Sequence, residues 1–330
     1  MTPPGAGRGG SGRRRRPAPA AAAPGRGRSR GPVRRGAAPG HGGAGRDPGE
    51  RRDGGGRGRA GGEGRRSLGG EQVEGRQAVR ELLAAGRRPV REVWVAEDLD
   101  PSPQLDEIER LATRRRARLV PVPRGRLEAA ARTDAPQGVL ALARPLEETD
   151  LDELCRVRRG TAPFLLVLDG VTDPHNLGSL LRTAECAGIT GVVLPRHRSA
   201  LVTPTVTKVA AGAVEHLALA VVPGVPAALQ RMGRLGVTSI GLDAGAPGSV
   251  FDLDADVAGP TALVLGSEGR GLGQLARRRC SILVAIPQHG RLEALNVAAA
   301  GAVACFELAH RRARRSGPAR SVPGGDAAPG

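Results

Sequence analysis

The chain has 330 residues, a formal net charge of +17, 39% apolar residues and only 1% aromatic residues. This length suits two ordinary domains, and no apolar stretch of 18 residues occurs, so no membrane-spanning helix is expected. Cys155, Cys186, Cys280 and Cys305 are widely spaced and form no Cys-x-x-Cys pair; this excludes a cysteine-based metal site and fits a reduced, cytoplasmic protein.

The charge is concentrated at the ends. Residues 1–66 hold 17 arginines against 4 acidic residues, and residues 309–330 hold 5 arginines against 1 aspartate. The intervening 28 basic and 28 acidic residues cancel, which describes a neutral globular body with basic extensions. Residues 1–68 are Gly, Arg, Pro and Ala with almost no large apolar side chains, a composition that cannot offset its ordering entropy. A disordered tail is therefore expected there, and a second basic one over 313–330. Two roles stand open for the tails: solvated low-complexity sequence, or an electrostatic arm for phosphate backbones. The Ala-Pro run at 17–24 lacks the apolar core of a secretory signal.

A small α/β domain is expected over 70–145. Residues 74–85 place Val79, Leu82 and Leu83 at helical spacing, with Gly86 as the stop. Residues 91–98 alternate as a strand does, and 104–116 return to helical spacing through Leu105, Ile108 and Leu111. A strand at 118–123, a helix from 124 and a strand at 137–144 complete the unit. The acidic stretch at 145–154 reads as a linker or short helix, within a linker expected over 146–160. A second α/β domain follows over 161–312. Residues 161–171 form a continuous apolar run, as in a central parallel strand. A helix at 176–188 comes next, then a strand at 189–195, a helix near 203–213 and a strand near 216–222. A helix near 225–235 and strands at 237–243, 261–269 and 281–287 precede a long final helix at 295–312.

Three strand ends carry the unusual residues: DGVTDPHNLGSLLR (169–182), LGSEGRGL (265–272) and IPQHGRLEALNVAAA (286–300). In an open parallel sheet, ligands bind beyond the carboxyl ends of the strands, so these loops can share one pocket. The glycines at 269–273 come too late in the domain, and with the wrong spacing, for a dinucleotide-binding turn. No Gly-x-x-x-x-Gly-Lys-Ser/Thr loop and no Gly-x-Ser-x-Gly elbow occurs. His175, His216, His289 and His310 lack metal-ligand spacing, so no metal is expected.

Together the three segments resemble the signature motifs of the SpoU-type, TrmH-like RNA 2′-O-ribose methyltransferases of the SPOUT superfamily. Asn176, Gly178 and Arg182 match the first motif, Glu268 within LVLGSEGRGL the second, and Leu295, Asn296 and Val297 the third. Residues 71–145 are similar to the family's substrate-binding domain, which is related to ribosomal protein L30e. Within the family the nearest branch methylates a guanosine ribose in 23S rRNA. A tRNA methyltransferase, or a catalytically weak RNA-binding or ribosome-assembly protein, stands as the alternative.

The resemblance implies an α/β fold with a C-terminal trefoil-knotted parallel sheet behind the small L30e-like domain. It also implies a homodimer and S-adenosyl-L-methionine held by Gly266, Ile286, Leu295 and Asn296. Gly266 suits this physically, because a missing Cβ permits close backbone approach. Arg182, Asn176 and Glu268 are the implied catalytic residues. A guanidinium stays charged, so Arg182 is a phosphate ligand and alkoxide stabiliser rather than a base. Each residue also has a local alternative. Asn176 and Asn296 suit helix N-caps, Arg182 a pair with Glu185, and Glu268 a pair with Arg270. Ala294 stands where the motif usually has Ser and Ala298 at its next small polar position, and Ala135–Pro136–Gln137–Gly138 stands where relatives often have His before Gln-Gly. The implied partner is RNA, with no DNA and no membrane. With no Tyr, three Phe and one Trp, recognition is expected to rest on arginine–phosphate contacts that weaken with salt.

Overall fold

A computed structural model describes residues 68–197, 202–253, 256–291 and 294–315. The expected N-terminal tail lies outside the described residues apart from Leu68, as does the C-terminal one beyond Arg315.

The first unit is a four-stranded sheet with helices on both faces. It comprises β1 (Gln72–Glu74), α1 (Arg76–Ala85), β2 (Val90–Ala96), α2 (Pro103–Arg114), β3 (Arg118–Val122), α3 (Arg124–Ala130) and β4 (Val139–Ala143). The strand order is β1-β4-β2-β3, antiparallel except for the parallel pair β2/β3. The apolar spacing buries Val79, Leu82, Leu83, Leu105, Ile108 and Leu111 on one face, with Leu127 and Leu140 on the other. Gly86 ends α1 in the left-handed conformation (φ 58°), and its N–H bonds the carbonyl of Leu82, as a C-terminal glycine does. β1 was not apparent from the sequence. It has only three residues and becomes a strand by pairing with β4, seventy positions away.

The second unit begins after α4 (Leu151–Leu154), a single turn within the acidic stretch, capped by Asp150. Its elements are β5 (Phe164–Asp169), α5 (Pro174–Cys186), β6 (Gly191–Pro195), α6 (Pro204–Val209), β7 (Ala218–Val222), α7 (Val225–Arg234), β8 (Thr238–Leu242), β9 (Gly248–Ser249), β10 (Thr261–Gly266), α8 (Gln274–Arg279), β11 (Ile282–Ala285) and α9 (Val297–Arg315). The sheet is parallel, in the order β7-β6-β5-β10-β8-β11-β9. Alternate strand residues face opposite cores. Leu166, Leu168, Leu263 and Leu265 pack with α5 and α9, whereas Leu165, Val167, Ala262 and Val264 pack on the side of α7 and α8. Burial on both faces explains the unbroken apolar runs. Leu177, Leu180, Leu181 and Ala184 turn one stripe of α5 inward, each leucine worth roughly 1.5–3 kcal/mol. Gly301 lets α9 close on this layer, since a Cβ there would lie 2.3 Å from Leu180 Cδ2 and 2.8 Å from Leu265 Cδ1. The final helix runs to Arg315, past the expected end at 312.

From β5 the chain runs outward through β6 and β7 toward one edge, and from β10 it runs outward to β11 on the other side, so the switch point lies between β5 and β10. Asp169 and Gly266 are register partners at their carboxyl ends. Among the described residues no helix is long and apolar enough to cross a membrane, and no group of His, Cys, Asp or Glu is arranged to hold a metal.

A candidate active site at the switch point

Three loops meet beyond Asp169 and Gly266. The turn after β10 is held by reciprocal backbone bonds between Ser267 and Gly271 (3.0 and 2.9 Å). Gly269 (φ 72°) and Gly271 (φ 63°) supply the left-handed backbone that lifts Glu268 to the tip. Gly266 itself admits no side chain, as a Cβ there would lie 2.0 Å from the carbonyl carbon of Gly271. The close approach foreseen at Gly266 is therefore made by the chain's own turn. Gly266→Ala is expected to displace this turn and lower thermal stability by more than 1 kcal/mol of overpacking, about 2–4 °C. An unchanged melting temperature would contradict this.

The loop after β5 ends at Asp173. Its carboxylate accepts from the N–H groups of His175 (3.2 Å) and Asn176 (3.3 Å), and Pro174 occupies the first helical position. Asp173, not Asn176, is therefore the N-cap, and α5 starts earlier than the spacing of its leucines suggests. Asn176 is thereby free to turn its buried side chain into the site. Its Nδ2 donates to Glu268 Oε1 at 2.7 Å. From the third loop, Asn296 Nδ2 donates to Glu268 Oε1 (2.6 Å) and to Asn176 Oδ1 (3.1 Å). Asn296 Oδ1 meanwhile accepts from the N–H groups of Ala298 (2.9 Å) and Ala299 (3.3 Å), capping α9. Asn296 thus fills its local role and joins the network as well. One carboxylate oxygen gathers residues 120 positions apart in the chain.

Arg182 stands apart. It lies six residues beyond Asn176 in α5, about 9 Å along the axis and on a different face. It is exposed and makes no hydrogen bond or ion pair among the described residues, so neither the pair with Glu185 nor a bond to Glu268 forms. Glu268 likewise makes no pair with Arg270.

A cavity of about 480 Å3 opens on one side of the turn, within the usual range for small-molecule sites. Gly266, Ile286, Leu295 and Asn296 all line it, with Ala294 beside them. The sequence did not single out the segment Leu242–Gly245, which closes the far wall from the end of β8. Only the pairing of β8 between β10 and β11 brings it there. Asp243 is held by Arg277 (3.1 Å) and accepts from the N–H of Gly245 (3.0 Å). The walls are Leu242, Leu265, Ile286, Leu295 and Val297, with the carboxylates of Asp243 and Glu268 against the single guanidinium of Arg270. Such a lining suits a ligand with an apolar body, hydroxyls and positive charge, and not a polyphosphate. Burial raises the thiols of Cys155 and Cys280 to about 11 and that of Cys305 to about 12, which leaves them protonated and unreactive.

Parallel sheet, switch-point cavity and converging loops define the class, an α/β enzyme with a small-molecule site beside the carboxyl ends of its strands. Comparison with known proteins is specific. Residues 163–306 match the SpoU rRNA methylase family, and 72–149 match the RNA 2′-O ribose methyltransferase substrate-binding family. The 23S rRNA (guanosine-2′-O-)-methyltransferase RlmB of Pseudomonas putida is 36% identical over 245 residues, 73% of this chain and 97% of the relative. The putative TrmH family tRNA/rRNA methyltransferase YacO of Bacillus subtilis is 34% identical over 244 residues, 73% of this chain and 96% of the relative. Among solved structures, the SpoU methyltransferase AviRb from Streptomyces viridochromogenes in complex with AdoMet aligns with a TM-score of 0.61 at 25% identity, covering 74% of this chain and 91% of AviRb. The chain belongs to the SpoU rRNA methylase family.

Proposed function

We propose that this protein methylates the ribose 2′-hydroxyl of a guanosine in 23S rRNA, with S-adenosyl-L-methionine as methyl donor. The observation that carries the reading is the convergence of Asn176, Glu268 and Asn296 at the rim of a cavity lined by Gly266, Ile286 and Leu295. The named relatives supply the acceptor, since several act on a guanosine of 23S rRNA.

When bound, the donor supplies an electrophilic methyl group. Ile286, Leu295 and the backbone at Gly266 would hold its apolar and polar parts, while Asn296 keeps the start of α9 in place. Glu268 fixes both amide side chains so that Asn176 presents one orientation to the ribose. Arg182 lines neither cavity of its own chain; contributed by the second copy of a dimer, it would bind the phosphate beside the target and stabilise the alkoxide as the hydroxyl loses its proton.

The reading includes a homodimer. On α9, Val303 and Phe306 are 36% and 50% exposed, an apolar stripe that a second copy would cover. Arg182, on the helix packed along α9, then acts at the subunit boundary. The reading also includes the trefoil knot, supported by β11 lying between β8 and β9 while α9 returns to α5. Four free cysteines suit the cytoplasm.

The test is to delete the gene and map ribose methylation across rRNA and tRNA. Loss of one 23S guanosine methyl group is expected. Loss of a tRNA methyl group instead would move the activity to the acceptor that YacO's name includes. No loss at all would leave the RNA-binding alternative, which Ala294 and Ala298 favour.

A further inference from the structure

A second and larger cleft, about 1010 Å3, lies across the Ser267–Gly271 turn from the first cavity. Ser267, Glu268, Arg270, Gly271 and Val297 line both, so the turn is a shared wall. The rest of the cleft comes from the ends of β5, β6 and β7 and the starts of α7 and α8, so residues of the first motif segment (Asp169–Asp173 and Asn176) line it together with Pro195, His197, Pro223 and Gln274–Ala276, which no motif includes.

Its polar groups fall into two sets. The three carboxylates are engaged by the chain itself. Asp169 Oδ2 accepts from the N–H of Gly273 (3.0 Å), Asp173 caps α5, and Glu268 holds the two asparagines. Thr172, His197, Arg270 and Gln274 line the cleft too, and their side chains make no hydrogen bond or ion pair among the described residues. The groups left for a ligand are therefore a hydroxyl, an imidazole and an amide, with a cation next to the shared wall. The apolar surfaces are aliphatic. They include Pro195, Pro223 and Leu275, the last 55% exposed although large and apolar.

We propose that this cleft is the acceptor pocket, which takes a single ribonucleotide extruded from the RNA. The base lies against Leu275 and the prolines, and Gln274 and His197 hydrogen-bond its edge. Arg270 meets the phosphate, and the ribose sits at the shared wall next to the reacting centre. Extrusion is what brings a nucleotide within the roughly 3–3.5 Å that in-line transfer needs. An amide is suited to a purine edge because it both donates and accepts. The proposal rests on the reading of the first cavity as the donor site.

Photocrosslinking with 8-azidoguanosine 5′-monophosphate, in the presence of saturating S-adenosylhomocysteine and followed by peptide mapping, tests it. Label is expected within 195–197, 223–226 or 270–276. The yield is expected to fall at least about fivefold in Gln274→Ala and in Leu275→Asp, as loss of one good contact gives. Both positions are exposed, so both variants fold. Label confined to 242–245 or 286–297, no label, or an unchanged yield in both variants overturns the acceptor pocket. Calorimetric binding of S-adenosylhomocysteine to the same preparations separates the two readings. If it is absent, the donor site fails; if it is normal while the label is misplaced, the acceptor pocket alone fails.

Discussion

Arg182→Ala is expected to lower methyl transfer to rRNA by about 10²-fold or more, the usual cost of removing a preorganised cation or donor from a developing oxyanion. Three observations make this the sharpest test of the site. Arg182 is exposed, it makes no bond that folding would lose, and it lines neither cavity. A purely structural role therefore predicts no loss, and thermal stability is expected to stay within about 0.5 kcal/mol of the parent. S-adenosylhomocysteine binding is expected to be unchanged. Robust turnover by the alanine variant would remove Arg182 from the reaction. Glu268→Gln provides the contrast. A carboxylate oxygen there accepts from two amide groups, at 2.7 and 2.6 Å, and a glutamine turns its own amide donors toward one of them in some rotamers. Its expected effect is a fall in kcat together with weaker cofactor binding, because Asn296 also caps the helix beside the cavity.

Glu215→Ala is expected to destabilise the protein by about 3–5 kcal/mol, since it leaves the buried guanidinium of Arg88 without its charge partner. The side chains are 5% and 1% exposed and form a two-pronged pair, Nη2 to Oε1 at 2.6 Å and Nε to Oε2 at 2.9 Å. Arg88 belongs to the turn between α1 and β2, and Glu215 to the 3-10 turn after α6, so the pair ties the four-stranded unit to the seven-stranded one. Arg88 also donates to the carbonyls of Gly70 and Arg144, while Arg87 donates to those of Glu215 and Leu217. For a chain of this size, the melting temperature is expected to fall by roughly 6–20 °C. The double variant Arg88→Met, Glu215→Leu is expected to recover most of that loss, because the desolvation of two charges disappears with the charges. If the double variant is as unstable as the single one, packing rather than uncompensated charge is the cause. A double-mutant cycle followed by thermal unfolding reads both outcomes.

Much of the architecture was legible from local pattern. Helices α1, α2, α5, α7 and α9 bury apolar stripes with a 3.6-residue period, and β5, β6 and β10 are apolar runs that parallel strands require. Three short elements were not legible. β1, β9 and α8 have three, two and six residues, too few for a period to show. The start of α5 was misplaced for a related reason. Asp173 and Pro174 carry the capping chemistry, but Asn176 is also a good capping residue and lies closer to the leucine stripe.

The candidate site divides along the same line. Residue types at Asn176, Glu268, Gly266, Leu295 and Asn296 could be chosen in one dimension, because ordered motifs are a property of the chain. That alone determined the family and the donor chemistry it implies. The tertiary structure decided which groups meet. It placed one oxygen of Glu268 between two asparagines, turned the backbone of Gly271 against Gly266, and left Arg182 away from both cavities. It also brought Asp243 to the donor cavity, and His197 and Gln274 to the cleft beyond the shared wall. These relations depend on strand order in a parallel sheet, where neighbours lie dozens of residues apart, and no local periodicity carries that order.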